Sequence, residues 1–106
     1  MDVPTITVDE LAERVAERPL FDVRQPEEYV EAHVPGARLV PLAEVPDRVE
    51  ELSGQGTVLV ICKSGGRSQR AVEHLLAVGV DAVNVAGGTS AWIESGRPVV
   101  TGDRPA

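Results

Sequence analysis

Apolar residues fall into two kinds of run along the chain, and the two kinds alternate. Short stretches dense in Val, Leu and Ile read as strands: a brief β-prone piece at 5–7, then LFDV at 20–23, RLV at 38–40, TVLVIC at 57–62 and AVNV at 82–85. Between them, apolar positions recur every three or four residues. Val8, Leu11, Ala12, Val15 and Ala16 form one helical stripe, from Val8 to about Glu17. It is preceded by a capping box, with Thr7 at the N-cap and Glu10 three positions on, and Pro19 stops it. Pro26 opens a second, short helix to about Ala32, because proline suits a first helical turn. VPGA at 34–37 is a turn, and 42–52 reads as helical if a new helix starts at Pro46. Residues 68–78 form a helix with Ala71, Val72, Leu75 and Leu76 inward, ended by Gly79. AGGTSAW, from Ala86, reads as a loop leading into a short last helix that ends near Gly96.

Strands alternating with helices predict an α/β domain. Continuous apolar strands suit a parallel sheet covered on both faces. The expected architecture is an open five-stranded parallel sheet flanked by helices on both faces. In such a sheet a site forms beyond the carboxyl ends of the strands. Asp22 and Cys62 both sit at strand carboxyl ends, so both are aimed at that edge.

Length and charge narrow the picture. At 106 residues the chain is expected to be one domain, with a core over about 5–100. The tail 101–106 is expected to fray, because Gly and Pro are dense there. Phe21, Tyr29 and Trp92 are the only aromatic residues, so the core must be mainly Val, Leu, Ile and Ala. A net charge of −7 argues against nucleic acid or an anionic membrane surface as partner. No run is long enough to span a bilayer, and the opening MDVPTITVDEL lacks the basic and apolar regions of a signal peptide. A single cysteine makes no internal disulfide, so the cytoplasm is the expected location.

The chemistry concentrates in VLVICKSGGRSQRAV, 58–72. The lone cysteine, Cys62, ends the strongest strand, and the lone lysine, Lys63, follows it. Ser64, Gly65 and Gly66 can then wrap tightly, since glycines admit unusual dihedrals. A helix starting near Ser68 would turn its free N–H groups and dipole toward the loop. Loop amides would cradle an anion at the sulfur, and Lys63 and Arg67 would add positive charge. Each effect favours thiolate and lowers the thiol pKa from roughly 8.5. A buried structural cysteine would need none of these features. Two chemistries use such a bowl: phosphate-ester hydrolysis through a phosphocysteine, and sulfur transfer through a persulfide. Only four residues separate Cys62 from Arg67. Cysteine phosphatases carry five there, and the shorter ring fits one extra sulfur atom better than a phosphoryl group.

CKSGGRS resembles the active-site loop of rhodanese-type sulfurtransferases, of the form C-x-x-G-x-R-S. LFDVRQPEEYVEAHVPGARLVPL, 20–42, and VAGGTSAWIESGRPV, 85–99, resemble that family's amino- and carboxy-terminal signatures. The resemblance runs from about Ile6 to Val99. It implies the same five-stranded parallel fold, and a two-step reaction without metal or organic cofactor. The Cys62 thiolate would take the outer sulfur of a small anionic donor such as thiosulfate. The Cys62 persulfide, held by loop amides, would pass it to cyanide, a thiol or a protein cysteine, with ping-pong kinetics. Lys63 and Arg67 depart from the more neutral C-G-[ST]-G-V-T loop of the mercaptopyruvate branch.

The resemblance also assigns supporting residues. Asp22 is either a strand-end turn former or a brace, accepting from loop amides or pairing with an arginine. Arg24 either joins the positive rim or ties the site to nearby acids. Ser64 and Ser68 either donate to the persulfide or cap the helix, and Ser68 is well placed as an N-cap. His33 is expected to fix a turn, and Trp92 to pack in the core. Two histidines and one cysteine lack metal-ligand spacing. Two rival readings stand beside the transferase. One is a non-catalytic docking module of the same family. The other is a cysteine phosphatase or arsenate reductase, and the single thiol offers no internal resolving cysteine for the latter.

Overall fold

The computed structural model describes residues 3–106. Five strands form one sheet: β1 (Thr5–Ile6), β2 (Leu20–Asp22), β3 (Arg38–Leu39), β4 (Val58–Ile61) and β5 (Ala82–Val85). Their order is β1-β5-β4-β2-β3, and every neighbouring pair is parallel. The chain starts at one edge, crosses to β2 and β3, and returns through β4 and β5 to fill the gap. β4 is thereby central, with Val60 level with Phe21 of β2 on one side and Asn84 of β5 on the other.

The pleat sends alternate residues to opposite layers. Val58, Val60 and Cys62 join Phe21, Ala71, Val72, Leu75 and Ala82 in one core layer. Leu59 and Ile61 join Leu11, Leu20, Tyr29, Val85 and Trp92 in the other. Each fully buried Val or Leu contributes about 1.5–3 kcal/mol. Trp92 is a core residue, as expected, with Nε1–H donating to the Pro98 carbonyl at 2.8 Å.

Five α-helices and one 3-10 helix complete the fold: α1 (Val8–Arg14), α2 (Pro26–Glu31), the 3-10 helix (Leu42–Arg48), α3 (Val49–Leu52), α4 (Gly66–Ala77) and α5 (Gly88–Glu94). The Thr7–Glu10 capping box is formed, with both reciprocal bonds at 3.2 Å.

Several boundaries differ from the sequence expectation. α1 ends at Arg14, so Ala12 and Ala16 are exposed and Leu11 alone is buried in it. Residues 42–48 wind as a 3-10 helix because Pro46 has no N–H to give to Leu42, and α geometry resumes only at Val49. α5 begins at Gly88, so most of AGGTSAW is helix rather than loop. The segment expected to fray folds back instead. Val100 and His33 exchange backbone bonds at 2.9 Å, and Gly102 N–H donates to the Val30 carbonyl at 2.8 Å. His33 is fully buried, stacked on Tyr29, and its ring nitrogens lie 2.8 Å from the carbonyl oxygens of Tyr29 and Arg104. Its position is that of an anchor for a turn and a tail.

Candidate active site

Cys62 leaves the carboxyl end of β4, and the chain turns at once. Gly65 sits at φ +114°, outside the range of residues with a side chain, and caps α4. That single positive-φ residue folds the loop back onto the sulfur. Gly66 needs no such freedom: it is helical, and nothing lies within 4 Å of where its Cβ would stand. The helix therefore starts two residues earlier than expected, and Ser68 lies inside its first turn rather than capping it. Its hydroxyl faces Cys62 Sγ at 3.3 Å, and the Gly65 N–H donates to the same sulfur at 3.1 Å. Ser64 is exposed and presents its amide.

Cys62 is 1 % exposed. Burial raises a thiol pKa, and it is the largest single influence here. The Ser68 hydroxyl and the amides of Ser68, Gly65 and Ser64 together outweigh it and bring the thiol below its ordinary value. A thiolate here would be held chiefly by neutral donors, with the Arg67 charge acting on it from within an ion pair.

What keeps those amides pointing inward is a second contact. The carbonyls of Cys62 and Lys63 point the other way and accept from the first turn of α5: Thr89 N–H to Cys62 at 2.8 Å and Ser90 N–H to Lys63 at 3.0 Å. Gly88, at φ +58°, makes this approach possible, because a Cβ there would stand 2.4 Å from the Cys62 oxygen. The sequence reading assigned Gly88 no role. Its signal was present in the Gly-Gly pair of VAGGTSAW, but only the folded contact shows its purpose.

The charged residues are arranged differently from the expected rim. Arg67 does not face the sulfur as a free cation; it makes a bidentate pair with Glu28 of α2, at 2.7 and 2.9 Å. This pair lowers the Glu28 carboxyl to about 2, so Glu28 is ionised throughout the neutral range. Glu28 is itself placed by the Gln25 N–H at 3.1 Å. Asp22 and Arg24 form a buried pair, Nη2 to Oδ2 at 2.8 Å, and Arg24 also donates to the Ala32 carbonyl at 2.7 Å. Asp22 thus pairs with an arginine, and that arginine reaches the end of α2 rather than the Cys62 loop. It also accepts from the Arg24 backbone at 3.0 Å, and loop amides are not among its partners. Its β2 position alternates with Phe21, which puts it toward the α2 layer. Lys63 is exposed and, among the described residues, forms no ion pair.

A cavity of about 190 Å³ opens beside the loop, with Arg24, Glu28, Glu31, Lys63, Thr89 and Ser90 in its wall. Thr89 Oγ1 is buried and has no hydrogen-bond partner among the described residues. Asn84, 5 % exposed, lies behind the sulfur and contacts Ser68. It too was passed over in the sequence. Among the described residues no cluster of His, Cys, Asp or Glu could hold a metal, and no helix is long and apolar enough to cross a membrane.

The sequence and the fold are both similar to those of known proteins. The rhodanese-like domain family matches residues 7–95. A sulfurtransferase of Allochromatium vinosum is 33% identical over 102 residues, covering 92% of this chain and 95% of its own. Thiosulfate sulfurtransferase 16 of Arabidopsis thaliana, a chloroplast protein, is 40% identical over 91 residues, covering 74% of this chain and 76% of its own. The crystal structure of a rhodanese-related protein from Thermoplasma volcanium superposes with a TM-score of 0.86 at 34% identity, over 92% of this chain and 97% of that one. Fold and sequence agree, and the chain belongs to the rhodanese-like domain family.

Proposed function

We propose that this protein is a sulfurtransferase that carries sulfane sulfur as a Cys62 persulfide. The observation that supports it most is the hydrogen-bonded sulfur itself, buried yet lowered in pKa by a hydroxyl and three amides. In the first step the Cys62 thiolate attacks the outer sulfur of thiosulfate or a related donor. A new S–S bond forms, the donor S–S bond breaks, and sulfite leaves with the electron pair. The negative charge then rests on the outer persulfide sulfur. In the second step a thiol, a protein cysteine or cyanide attacks that sulfur and Cys62 is released as thiolate.

Burial of Cys62 favours this reading over phosphoryl transfer. A sulfane sulfur is a one-atom tip that can enter a narrow opening, whereas a phosphoryl centre needs room for in-line attack. Lys63 gives the cavity its free cation. No cofactor takes part in either step.

The reading is tested by intact mass after incubation with thiosulfate. The expected result is a gain of one sulfur atom, removed by cyanide with one equivalent of thiocyanate. A chain that gains no mass from thiosulfate or from a small persulfide fits a docking module instead, and turnover of an aryl phosphate would fit the phosphatase.

The ion pair at the mouth makes a second expectation. Glu28→Gln releases the Arg67 guanidinium and should raise kcat/KM for thiosulfate about threefold at low salt, where one charge within a Debye length counts most. Lys63→Ala should lower it by a similar factor. Steady-state assays at two ionic strengths check both, and equal effects at high and low salt would exclude a charge mechanism.

A further inference from the structure

Ser68 has one proton and three neighbours that could accept it: Cys62 Sγ at 3.3 Å, the Gly65 carbonyl at 3.2 Å and Asn84 Oδ1 at 2.5 Å. The Gly65 carbonyl is already occupied. It accepts the Gln69 N–H at 3.1 Å and the Asn84 Nδ2–H at 3.4 Å, which uses both lone pairs. The same contact sets the Asn84 amide, with nitrogen toward Gly65 and oxygen toward Ser68. Two acceptors therefore compete for one proton in a site closed to solvent, where Ser68 is fully buried and Asn84 is 5 % exposed.

We propose that Asn84 is a positioning residue for Cys62, its side-chain oxygen holding the Ser68 proton whenever the cysteine sulfur does not need it. With Cys62 as thiolate, the hydroxyl turns to Sγ and donates to the charge. With a second sulfur attached, Sγ is a neutral divalent sulfur and a weak acceptor, and the hydroxyl turns to Asn84. A buried hydroxyl left without an acceptor costs stability. Asn84 removes that cost from the loaded state and so draws the two states closer in energy. This assignment rests on the persulfide reading for its second half only.

The fold makes the device possible. Asn84 is the one polar residue of β5, level with Val60, and lies in the same layer as Cys62 and α4. The charged groups around the sulfur are Asp22 and Arg24 from β2 and its following turn, Lys63 in the loop, and Arg67 of α4 with Glu28 of α2. None of them hydrogen-bonds to Ser68 or Asn84 among the described residues.

Because Cys62 is the only thiol, its pKa is read directly from the pH dependence of alkylation by iodoacetamide. Ser68→Ala should raise it by about one unit, through loss of a charge-assisted bond. Asn84→Leu should lower it by up to about half a unit, because the nearest competing acceptor, Oδ1 at 2.5 Å, is lost and only the Gly65 carbonyl at 3.2 Å, freed of the Asn84 Nδ2–H, still competes with Sγ. The double variant should match Ser68→Ala alone. Asn84→Ala, which needs no extra space, serves if the leucine variant does not fold. An upward shift in the Asn84 variants, or a shift that persists without Ser68, overturns the proposal. Alkylation uses no sulfur donor, so this outcome is independent of whether thiosulfate loads the protein. At a fixed ratio of thiosulfate to sulfite, the loaded fraction should fall several-fold in Asn84→Leu. An unchanged fraction overturns the role in the loaded state.

Discussion

Cys62→Ser should abolish sulfur loading and leave the fold in place. Serine is smaller, and its oxygen can accept from the Gly65 N–H and face the Ser68 hydroxyl much as sulfur does. The cost in stability is about 1–2 kcal/mol, from a small polar atom replacing a buried thiol. The chemical loss is total, because no alkoxide forms near neutral pH and a hydroxyl does not take a sulfane sulfur. The variant should show a cooperative melt within several degrees of wild type and no mass gain from thiosulfate. Mass gain in the variant would place the sulfur elsewhere on the chain. Wild-type loading should rise with pH as thiolate forms. The lowered pKa puts the midpoint of that rise below the ordinary thiol value, so a midpoint above it would contradict the hydrogen-bond account.

Gly88→Ala is expected to be the most damaging change outside the cysteine. The new Cβ would meet the Cys62 and Lys63 oxygens at 2.4 and 2.6 Å, and both are backbone atoms held by α5. Neither can retreat without losing the Thr89 or Ser90 bond that turns the loop amides toward the sulfur. The left-handed φ of +58° adds about 1–2 kcal/mol for any residue with a Cβ. Together these should cost at least about 3 kcal/mol, with a thiol pKa drifting upward as the amides disperse. The control is Gly66→Ala, where the added methyl meets nothing within 4 Å and improves helix propensity. Equal melting temperatures for the two variants would refute the bracing role of Gly88.

The parts legible in the sequence are those written in local rules. The run at 57–62 announces a buried strand, and the observed β4 is its four-residue centre. Thr7 and Glu10 announce a helix start, and Pro26 another. The site loop is legible because Cys62, the glycines and Arg67 are contiguous. What the sequence hides is contact at a distance. Nothing local says that Glu28 will neutralise Arg67, which lies 39 positions on. Ser68 looks like a cap because serine favours caps, yet the sharp reversal at Gly65 starts the helix earlier and puts the hydroxyl against the sulfur. The tail looks like a fraying end, and carbonyls far upstream tie it down. Asn84 left one usable trace: a polar residue inside a strand otherwise read as buried on both faces.

The amide ring around Cys62 is built wholly from main chain, locked from outside by other main-chain groups of α5, while Lys63, Ser64 and Gly66 at its rim are exposed. Shape and charge are therefore written in separate letters. The backbone of 62–65, with Gly88 behind it, is a fixed socket. Lys63, Ser64 and Gly66 are interchangeable fittings on that socket, and side chains exchanged at those three positions would change which molecule is welcomed without remaking the place where sulfur is held.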